Sequence, residues 1–323
     1  MTSPTTHLHR PVSRPIESEL EERPKILFYD DYRDASVSVI IPAYNEAVSI
    51  GGLVDRITGV LEKLGRPWEV VVVDDGSTDG TLDCLKDKDV TVVAHPYNIG
   101  NGAAIKTGIR HCSGDIVVMM DGDGQHEPED IPRLVSQIGP YDMVVGERIN
   151  GFNQSKHRSA ANHLYNLLAS YVTHFKVKDL TSGYRAIKSD ILKRYTYLLP
   201  NTFSYPTTLT LSILRAGHSL KYEPIRARGR ESKSKIKLLR DGVRFLLIIF
   251  KISMLFSPLK VFLPFSGLFF LFGLINYAHT YIIDRRLTNM TVIFFITSLL
   301  FFLLGMVSEQ IAQLRFDRAE ENG

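Results

Sequence analysis

The sequence predicts an α/β domain with a mainly parallel sheet, followed by interfacial amphipathic helices and a two-helix transmembrane hairpin. Three observations carry that prediction. Short β-branched apolar runs alternate with amphipathic stretches from about residue 36 onward. Turns rich in Asp and Gly follow those runs directly. Two long charge-free apolar segments lie at 261–283 and 290–308.

Residues 1–35 are rich in Pro, Ser, Thr and charge and lack the apolar stretch of a signal peptide. They read as a mobile extension, with a loosely docked arm as the alternative. The runs at 37–41, 70–73, 91–94, 116–120 and 143–145 are continuously apolar rather than alternating, as in strands covered on both faces. Amphipathic stretches at 50–64 and 103–111 supply covering helices. Asn98 and Gly100 suit the start of the second, and Gly102 suits close packing. This alternation indicates a parallel sheet over 36–225, with ligands expected at the carboxyl ends of its strands.

A basic stretch follows at 226–258. Arg226, Arg228, Arg230, Lys233, Lys235, Lys237, Arg240 and Arg244 lead into an apolar run broken only by Lys251. Such a segment suits the headgroup layer of an anionic membrane, with a solvated charged helix as the alternative. Within 259–314, each apolar segment is long enough to cross a ~30 Å hydrocarbon core, and the 284–289 connector is too short for a domain. Lys and Arg crowd the approach to the first span, and Arg315 and Arg318 follow the second. The positive-inside rule then puts the α/β domain and the 315–323 tail on the cytoplasmic side of the cell membrane, in a multi-pass protein. The charge-free spans argue against an ion pathway.

Whole-chain averages conceal this division. With 38 Lys+Arg, 35 Asp+Glu and a net charge of +3, the chain is not a strongly basic nucleic-acid binder. Its mean hydropathy of −0.01 describes neither half. The two cysteines, Cys84 and Cys112, cannot make a disulfide framework.

Chemistry concentrates in three turns. Met120-Asp121-Gly122-Asp123-Gly124-Gln125-His126 places two carboxylates one residue apart, with an amide oxygen nearby. That oxygen set suits Mg²⁺ or Mn²⁺ with positions left for substrate phosphates; an ordinary Asp-Gly turn is the alternative. His126 reads as structural or supporting. Pro42-Ala43-Tyr44-Asn45-Glu46 ends the first strand, and Asp74-Asp75-Gly76-Ser77-Thr78-Asp79-Gly80 ends the second. A carboxylate there can accept from a ribose or base, and Tyr44 can flank the base. Asp79 and Thr81 read better as a helix cap.

Together these motifs resemble family 2 glycosyltransferases of the GT-A (Rossmann-like) fold. The nearest resemblance is to dolichyl-phosphate mannose synthases and bacterial polyisoprenyl-phosphate glycosyltransferases, over about 37–235. The resemblance implies nucleotide-sugar contacts by Pro42, Tyr44, Glu46, Val72, Asp74, Asp121, Gly122 and Asp123. It implies metal contacts by Asp121, Asp123 and Gln125. Gly146-Glu147-Arg148 matches a Gly-x-Arg whose arginine faces phosphates. His157-Arg158-Ser159-Ala160-Ala161-Asn162 sits where the family holds the lipid phosphate, which makes Arg148, Arg158 and Asn162 candidates for that contact. Asn162 departs from the small hydroxyl residue usual there. The segment from Asp179 to Arg185 matches an acceptor-side Asp-x-Thr-Ser-Gly-Phe-Arg pattern. The basic loop fits the family's last motif less cleanly, with Arg228 and Lys233 favoured for the diphosphate.

The implied reaction moves a hexosyl group from UDP-glucose, UDP-N-acetylglucosamine or GDP-mannose to undecaprenyl or dolichyl phosphate. An acceptor phosphate with a second pKa near ~6 is largely dianionic at neutral pH, so a strong general base is not required. Positioning by Arg148 and Arg158 supplies much of the work, beside Asp123 at the metal. Asp179 is either a proton-accepting or orienting group, or a structural carboxylate. Direct attack predicts inversion. The expected partners are nucleotide sugar, polyisoprenyl phosphate, the bilayer and a second copy of the chain in a homo-oligomer; nucleic acid is not among them. A processive polysaccharide synthase is disfavoured because the single Trp, Trp68, lies outside any Gln-x-x-Arg-Trp motif. Intact Asp121, Asp123 and Arg148 disfavour a non-catalytic membrane partner. Gly100-Asn101-Gly102 is too weak a match for a dinucleotide oxidoreductase.

Overall fold

The computed structural model describes residues 32–149, 166–167, 169–171, 173–202, 204–226, 250, 254 and 257–321. Its centre is a sheet of seven strands: β1 (Val37–Ala43), β2 (Trp68–Asp74), β3 (Thr91–Ala94), β4 (Ile116–Met119), β5 (Met143–Arg148), β6 (Arg185–Lys188) and β7 (Leu220–Ile225). Their order is β3-β2-β1-β4-β6-β5-β7. β1 pairs in parallel with both β2 and β4. The chain therefore runs outward to β3 and returns on the other side of β1, and the crevice opens where the order reverses. The parallel expectation holds for β1 to β4; β6 is antiparallel to β4 and β5.

Alternating residues of β1, β2, β4 and β5 feed two cores, which is why those apolar runs are continuous; β3, at the sheet edge, is largely exposed, against the expectation for 91–94. Val39, Ile41, Val70 and Val72 face one layer, with helices α1 (Ile50–Leu64) and α3 (Ile131–Val135). Ile40, Val71 and Val73 face the other, with α2 (Asn101–His111), α4 (Ser189–Tyr195) and α5 (Tyr205–Arg215). α1 buries Ile50, Leu53, Val54, Ile57 and Leu61, one stripe at helical spacing, and ends at Gly65 in the left-handed conformation. α2 starts after Gly100, as expected. A side chain at Gly102 would collide with the Pro200 carbonyl oxygen, so glycine lets this helix approach the 200–202 segment.

Two candidate membrane-spanning helices complete the chain, α6 (Pro258–Asp284) and α7 (Asn289–Glu321). Both are longer than the charge-free segments inside them, so Lys260 and Glu309 belong to the helices. Ser266 and Ser298 each donate to the other's carbonyl at 2.9 Å. Nearer the connector, Asn276 Oδ1 accepts from Thr288 at 3.1 Å and Thr291 at 2.8 Å. These contacts satisfy polar groups between the helices, while Phe270, Ile275, Leu300 and Val307 remain exposed on the outside.

Candidate active site

The parallel register brings the predicted motifs to one edge. Ala43 aligns with Asp74, and Ile40 with Met119, so the turns after β1, β2 and β4 leave side by side. Because β6 runs antiparallel, Arg185 aligns with Met119, and the 179–184 segment enters from that same edge. Four sequence-distant segments meet there.

The first two turns interlock. The Asn45 amide donates to Ser77 Oγ at 2.8 Å, and the Thr78 amide donates to Asn45 Oδ1 at 2.9 Å. Asn45 adopts a left-handed φ of 55° to do so. Asp79 and Thr81 are not a helix cap: the short turn Asp83–Leu85 has no side-chain cap. Instead Thr81 Oγ1 accepts from the Glu46 amide at 2.9 Å, and Asp79 Oδ2 from the Ala47 amide at 3.1 Å. Tyr44 stands 46% exposed beside the crevice, where it can flank a planar ligand. Asp74 is buried, with Oδ2 accepting from the Ser77 amide at 3.1 Å and Oδ1 lacking any partner among the described residues. Pro42 and Val72, expected to contact the nucleotide, lie on β1 and β2 beneath the crevice. Val72 is wholly buried within the sheet core and Pro42 is buried too, so their side chains support the crevice floor and their backbone is what borders it.

The carboxylate turn is held from two sides. Gly122 passes so near the Pro42 carbonyl that a Cβ would lie 2.9 Å from its oxygen, and the Gly122 carbonyl accepts from Ser49 Oγ at 3.0 Å. Gly122 therefore lets the turn seat against β1. Asp123 Oδ1 accepts from the Gln125 amide at 3.1 Å, closing an Asx turn. Opposite, a Cβ on Gly183 would stand 2.6 Å from Asp121 Oδ2. The 182–183 backbone thus packs directly on the Asp121 carboxylate.

Asp121 is also approached by Asn101 Nδ2, 3.5 Å from Oδ1, and by His126 Nε2, 4.0 Å from Oδ2. Burial pushes the His126 imidazole down to about 4, so the ring is neutral at physiological pH. It packs on Tyr184 with ring centroids 5.0 Å apart, which fits the supporting role expected for it. Asn101 Oδ1, His126 Nδ1 and Ser182 Oγ are buried without a hydrogen-bond partner among the described residues. All three residues lie beside the carboxylate turn: Asn101 and His126 approach Asp121, and Ser182 precedes the Gly183 that packs on it.

Arg148, at the end of β5, forms a fork-to-fork pair with Asp179: Nε to Oδ2 and Nη2 to Oδ1, both 2.8 Å. Nη2 also donates to Thr181 Oγ1 at 2.7 Å. Burial would raise Asp179, but the guanidinium outweighs it and holds the carboxyl below its ordinary value. Both Asp179 oxygens are engaged, by the Arg148 guanidinium and by the Thr181 amide, so the carboxylate ties Arg148 to the 179–181 turn. Neither fork bond uses Arg148 Nη1.

Among the described residues no group of three or more His, Cys, Asp or Glu is arranged to hold a metal ion. The Asp121 and Asp123 carboxylates and the side-chain carbonyl of Gln125 are oxygen ligands carried on one partly exposed turn. That incomplete set fits a hard divalent cation that takes its remaining ligands from a bound diphosphate. Arg158 and Asn162, and Arg228 and Lys233 of the basic loop, lie outside the described residues. Arg226 is described, and lines an open groove of about 680 Å³ with Arg56, Glu127, Arg133 and Ile149.

Sequence reading missed a second network. Asp75 accepts from the Ile99 and Gly100 amides at 2.9 and 2.8 Å, and from His95 Nδ1 at 2.7 Å. His95 Nε2 meets Thr107 Oγ1 at 2.9 Å. This chain fixes the start of α2 and hence Asn101 against Asp121. The Asp75-Gly76 pair was visible as a turn, but no local pattern joins it to His95.

Comparison with known proteins agrees with this geometry. Residues 38–196 match the model of glycosyl transferase family 2, and 257–314 match that of the GtrB C-terminal hairpin. The undecaprenyl-phosphate 4-deoxy-4-formamido-L-arabinose transferases of Salmonella paratyphi A and Salmonella dublin are 35% identical over 162 residues, 48% of this chain. The match spans about half the length of these curated relatives, 50%. Glucosyl-3-phosphoglycerate synthase from Mycobacterium tuberculosis, in complex with Mn²⁺, UDP and glucosyl-3-phosphoglycerate, superposes with a TM-score of 0.54. That likeness covers 68% of this chain and 81% of that one at 22% identity, and shows a shared fold.

Proposed function

Residues 38–196 being a family 2 glycosyltransferase domain, we propose that the protein transfers a glycosyl group from a nucleotide sugar to a polyisoprenyl phosphate at the membrane surface. One observation carries the reading. The carboxylate turn, the nucleotide-side turns and the Arg148–Asp179 fork converge on one sheet edge, in a chain that continues into an apolar hairpin.

On this reading Asp74, through its unpartnered Oδ1, accepts a hydrogen bond from the nucleoside, and Tyr44 flanks the base. Glu46 closes the same wall, and Gly122 keeps the carboxylate turn seated. Asp121, Asp123 and Gln125 would hold Mg²⁺ or Mn²⁺, which when bound supplies positive charge to the departing diphosphate. Arg148 presents its guanidinium to phosphate, with Arg158 and Asn162 assigned to the lipid phosphate and Arg228 and Lys233 to the diphosphate. The acceptor phosphate is its own nucleophile, and the anomeric centre inverts. Asp179, held below its ordinary value, orients Arg148 and does not take the proton.

The hairpin keeps the domain at the bilayer, where a polyisoprenyl phosphate presents its head. Domain limits of 36–225, 226–258 and 259–314, and a cytoplasmic catalytic side, belong to this proposal, as does assembly of copies. The named substrate of the Salmonella relatives supports undecaprenyl over dolichyl phosphate. A hexose from UDP-glucose, UDP-N-acetylglucosamine or GDP-mannose is the donor class proposed.

The test is a panel of labelled nucleotide sugars with undecaprenyl phosphate and Mg²⁺ or Mn²⁺, scoring label in the organic phase. One donor should give a chelator-sensitive lipid product, and Asp123→Asn should abolish it in a folded protein. Full activity in that variant removes the metal assignment. Free sugar without lipid product removes the acceptor.

A further inference from the structure

Glu309 stands out because it is the one charged residue of the stretch Asn289–Leu314, otherwise apolar enough to span a membrane, and because of what it touches. Its Oε1 accepts from Arg215 Nη2 at 3.2 Å, and its Oε2 accepts from the Leu259 amide at 3.2 Å. Arg215 Nη1 donates to Ser257 Oγ at 3.0 Å. Three elements therefore meet at one carboxylate: the last residue of α5 in the catalytic domain, the first turn of α6, and the body of α7. Both ends of the ion pair are mostly shielded, with side chains 22% and 19% exposed.

Each contact also suits its helix. Arg215 sits at the carboxyl end of α5, where the helix dipole favours a cation. Glu309 accepts an otherwise unsatisfied amide at the amino end of α6, where the dipole favours an anion. A rise of ~1.5 Å per residue puts Glu309 about 30 Å along α7 from Asn289. That is the thickness of the hydrocarbon core, so if Asn289 marks one boundary, Glu309 marks the other. A second tie lies near: Lys260 Nζ is 2.9 Å from His174 Nε2 and 3.3 Å from the Tyr171 carbonyl.

We propose that Glu309 is a positioning residue, which through Arg215 and the Leu259 amide fixes the height and tilt of the catalytic domain over the bilayer for a lipid-borne acceptor. The proposal rests on the transfer reaction proposed above. A soluble acceptor reaches the crevice by diffusion and needs no such alignment. An acceptor tethered in the bilayer meets the site only if the domain is held in register with the surface, and misplacement by ~1 Å can cost about 100-fold in rate.

The experiment uses the full chain in vesicles of phosphatidylethanolamine and phosphatidylglycerol carrying undecaprenyl phosphate, compared with a short-chain, water-soluble isoprenyl phosphate. Glu309→Gln, and independently Arg215→Met, should lower kcat/KM for the vesicle-borne acceptor by about 10-fold or more while the soluble acceptor stays within about twofold. Equal losses with both acceptors, or no loss with the vesicle-borne one, overturn the proposal. A second readout is independent of turnover. A fluorophore on Lys86→Cys, in a Cys84→Ser background with Cys112 buried, reports energy transfer to dye-labelled lipid. Wild type should show one narrow distance and Glu309→Gln a broadened one; an unchanged distribution overturns the proposal. If the wild-type protein makes no lipid product with any donor, the reaction assignment fails and the energy transfer alone decides the latch.

Discussion

Replacing Asp179 by Asn separates the two roles a carboxylate beside Arg148 can play. The substitution keeps size and one acceptor oxygen but removes the charge and one half of the fork. Arg148 would then keep its cation 25% exposed, without its counter-charge. Breaking a buried pair costs about 3–5 kcal/mol, and the partial exposure of Arg148 brings the expectation to about 2–3 kcal/mol. Urea unfolding in detergent, followed by the fluorescence of Trp68 in β2, reads this directly. With a slope of about 1–3 kcal/mol/M, the midpoint should fall by about 1 M. Transfer should fall about 100-fold as Arg148 loses its orientation.

A double-mutant cycle with Arg148→Met should give a coupling of about 2 kcal/mol. The sign with pH is also determined. Because the folded Asp179 lies below its ordinary value, its contribution is complete above the unfolded carboxylate's pKa of about 4 and is lost only as pH falls through the lowered folded value. A purely catalytic base would instead lose turnover with no shift in midpoint. An unchanged Asp179→Asn midpoint, or zero coupling, refutes the orienting role.

Two further substitutions probe the frame around the carboxylate turn. Gly183→Ala places a methyl 2.6 Å from Asp121 Oδ2, and the carboxylate, as a side-chain end, can yield where backbone could not. The protein should therefore fold with a cost of about 1–3 kcal/mol, while metal-dependent donor binding, measured by calorimetry, weakens by about tenfold; unchanged donor affinity would show that Asp121 need not hold that position. Glu69, at the opposite end of the sheet, accepts on Oε1 from Ser38 Oγ and from the Ser113 and Gly114 amides. Burial pushes Glu69 up, but these donors together hold it below its ordinary value. Glu69→Gln should cost about 1–2 kcal/mol above pH ~4.3, a difference that shrinks as pH falls through the lowered folded value, with transfer unchanged; a constant difference across that range, read by Trp68 unfolding, would refute the charge argument.

How much of this was legible in the sequence follows from what each residue depends on. β1, β2 and β4 show as apolar runs because both of their faces are covered. β6 does not, because its four residues begin with Arg185 and end with Lys188. Arg185 is fully buried, and its charge is accepted by the Pro206 carbonyl at 2.9 Å, Thr210 Oγ1 at 3.1 Å and the Ser182 carbonyl. Burial lowers the guanidinium from its ordinary value, yet no carboxylate pairs with it among the described contacts. Nothing local announces that a strand can begin on such a residue.

The same distinction divides the site. Asp121, Asp123 and Asp74 were legible as candidates because they end or directly follow apolar strands. What holds those acids in place is not contiguous. Gly183 packs on Asp121 from 62 positions away. Arg215 and Glu309 are 94 positions apart. Sequence patterns reveal residues whose neighbours along the chain share their task. A residue whose task is to hold another at a distance shows its type but not its partner. Glu309 falls just outside the charge-free segment at 290–308, where a count of apolar residues treats it only as the end of a span. In the folded chain that acid is where the apolar hairpin meets the α/β domain.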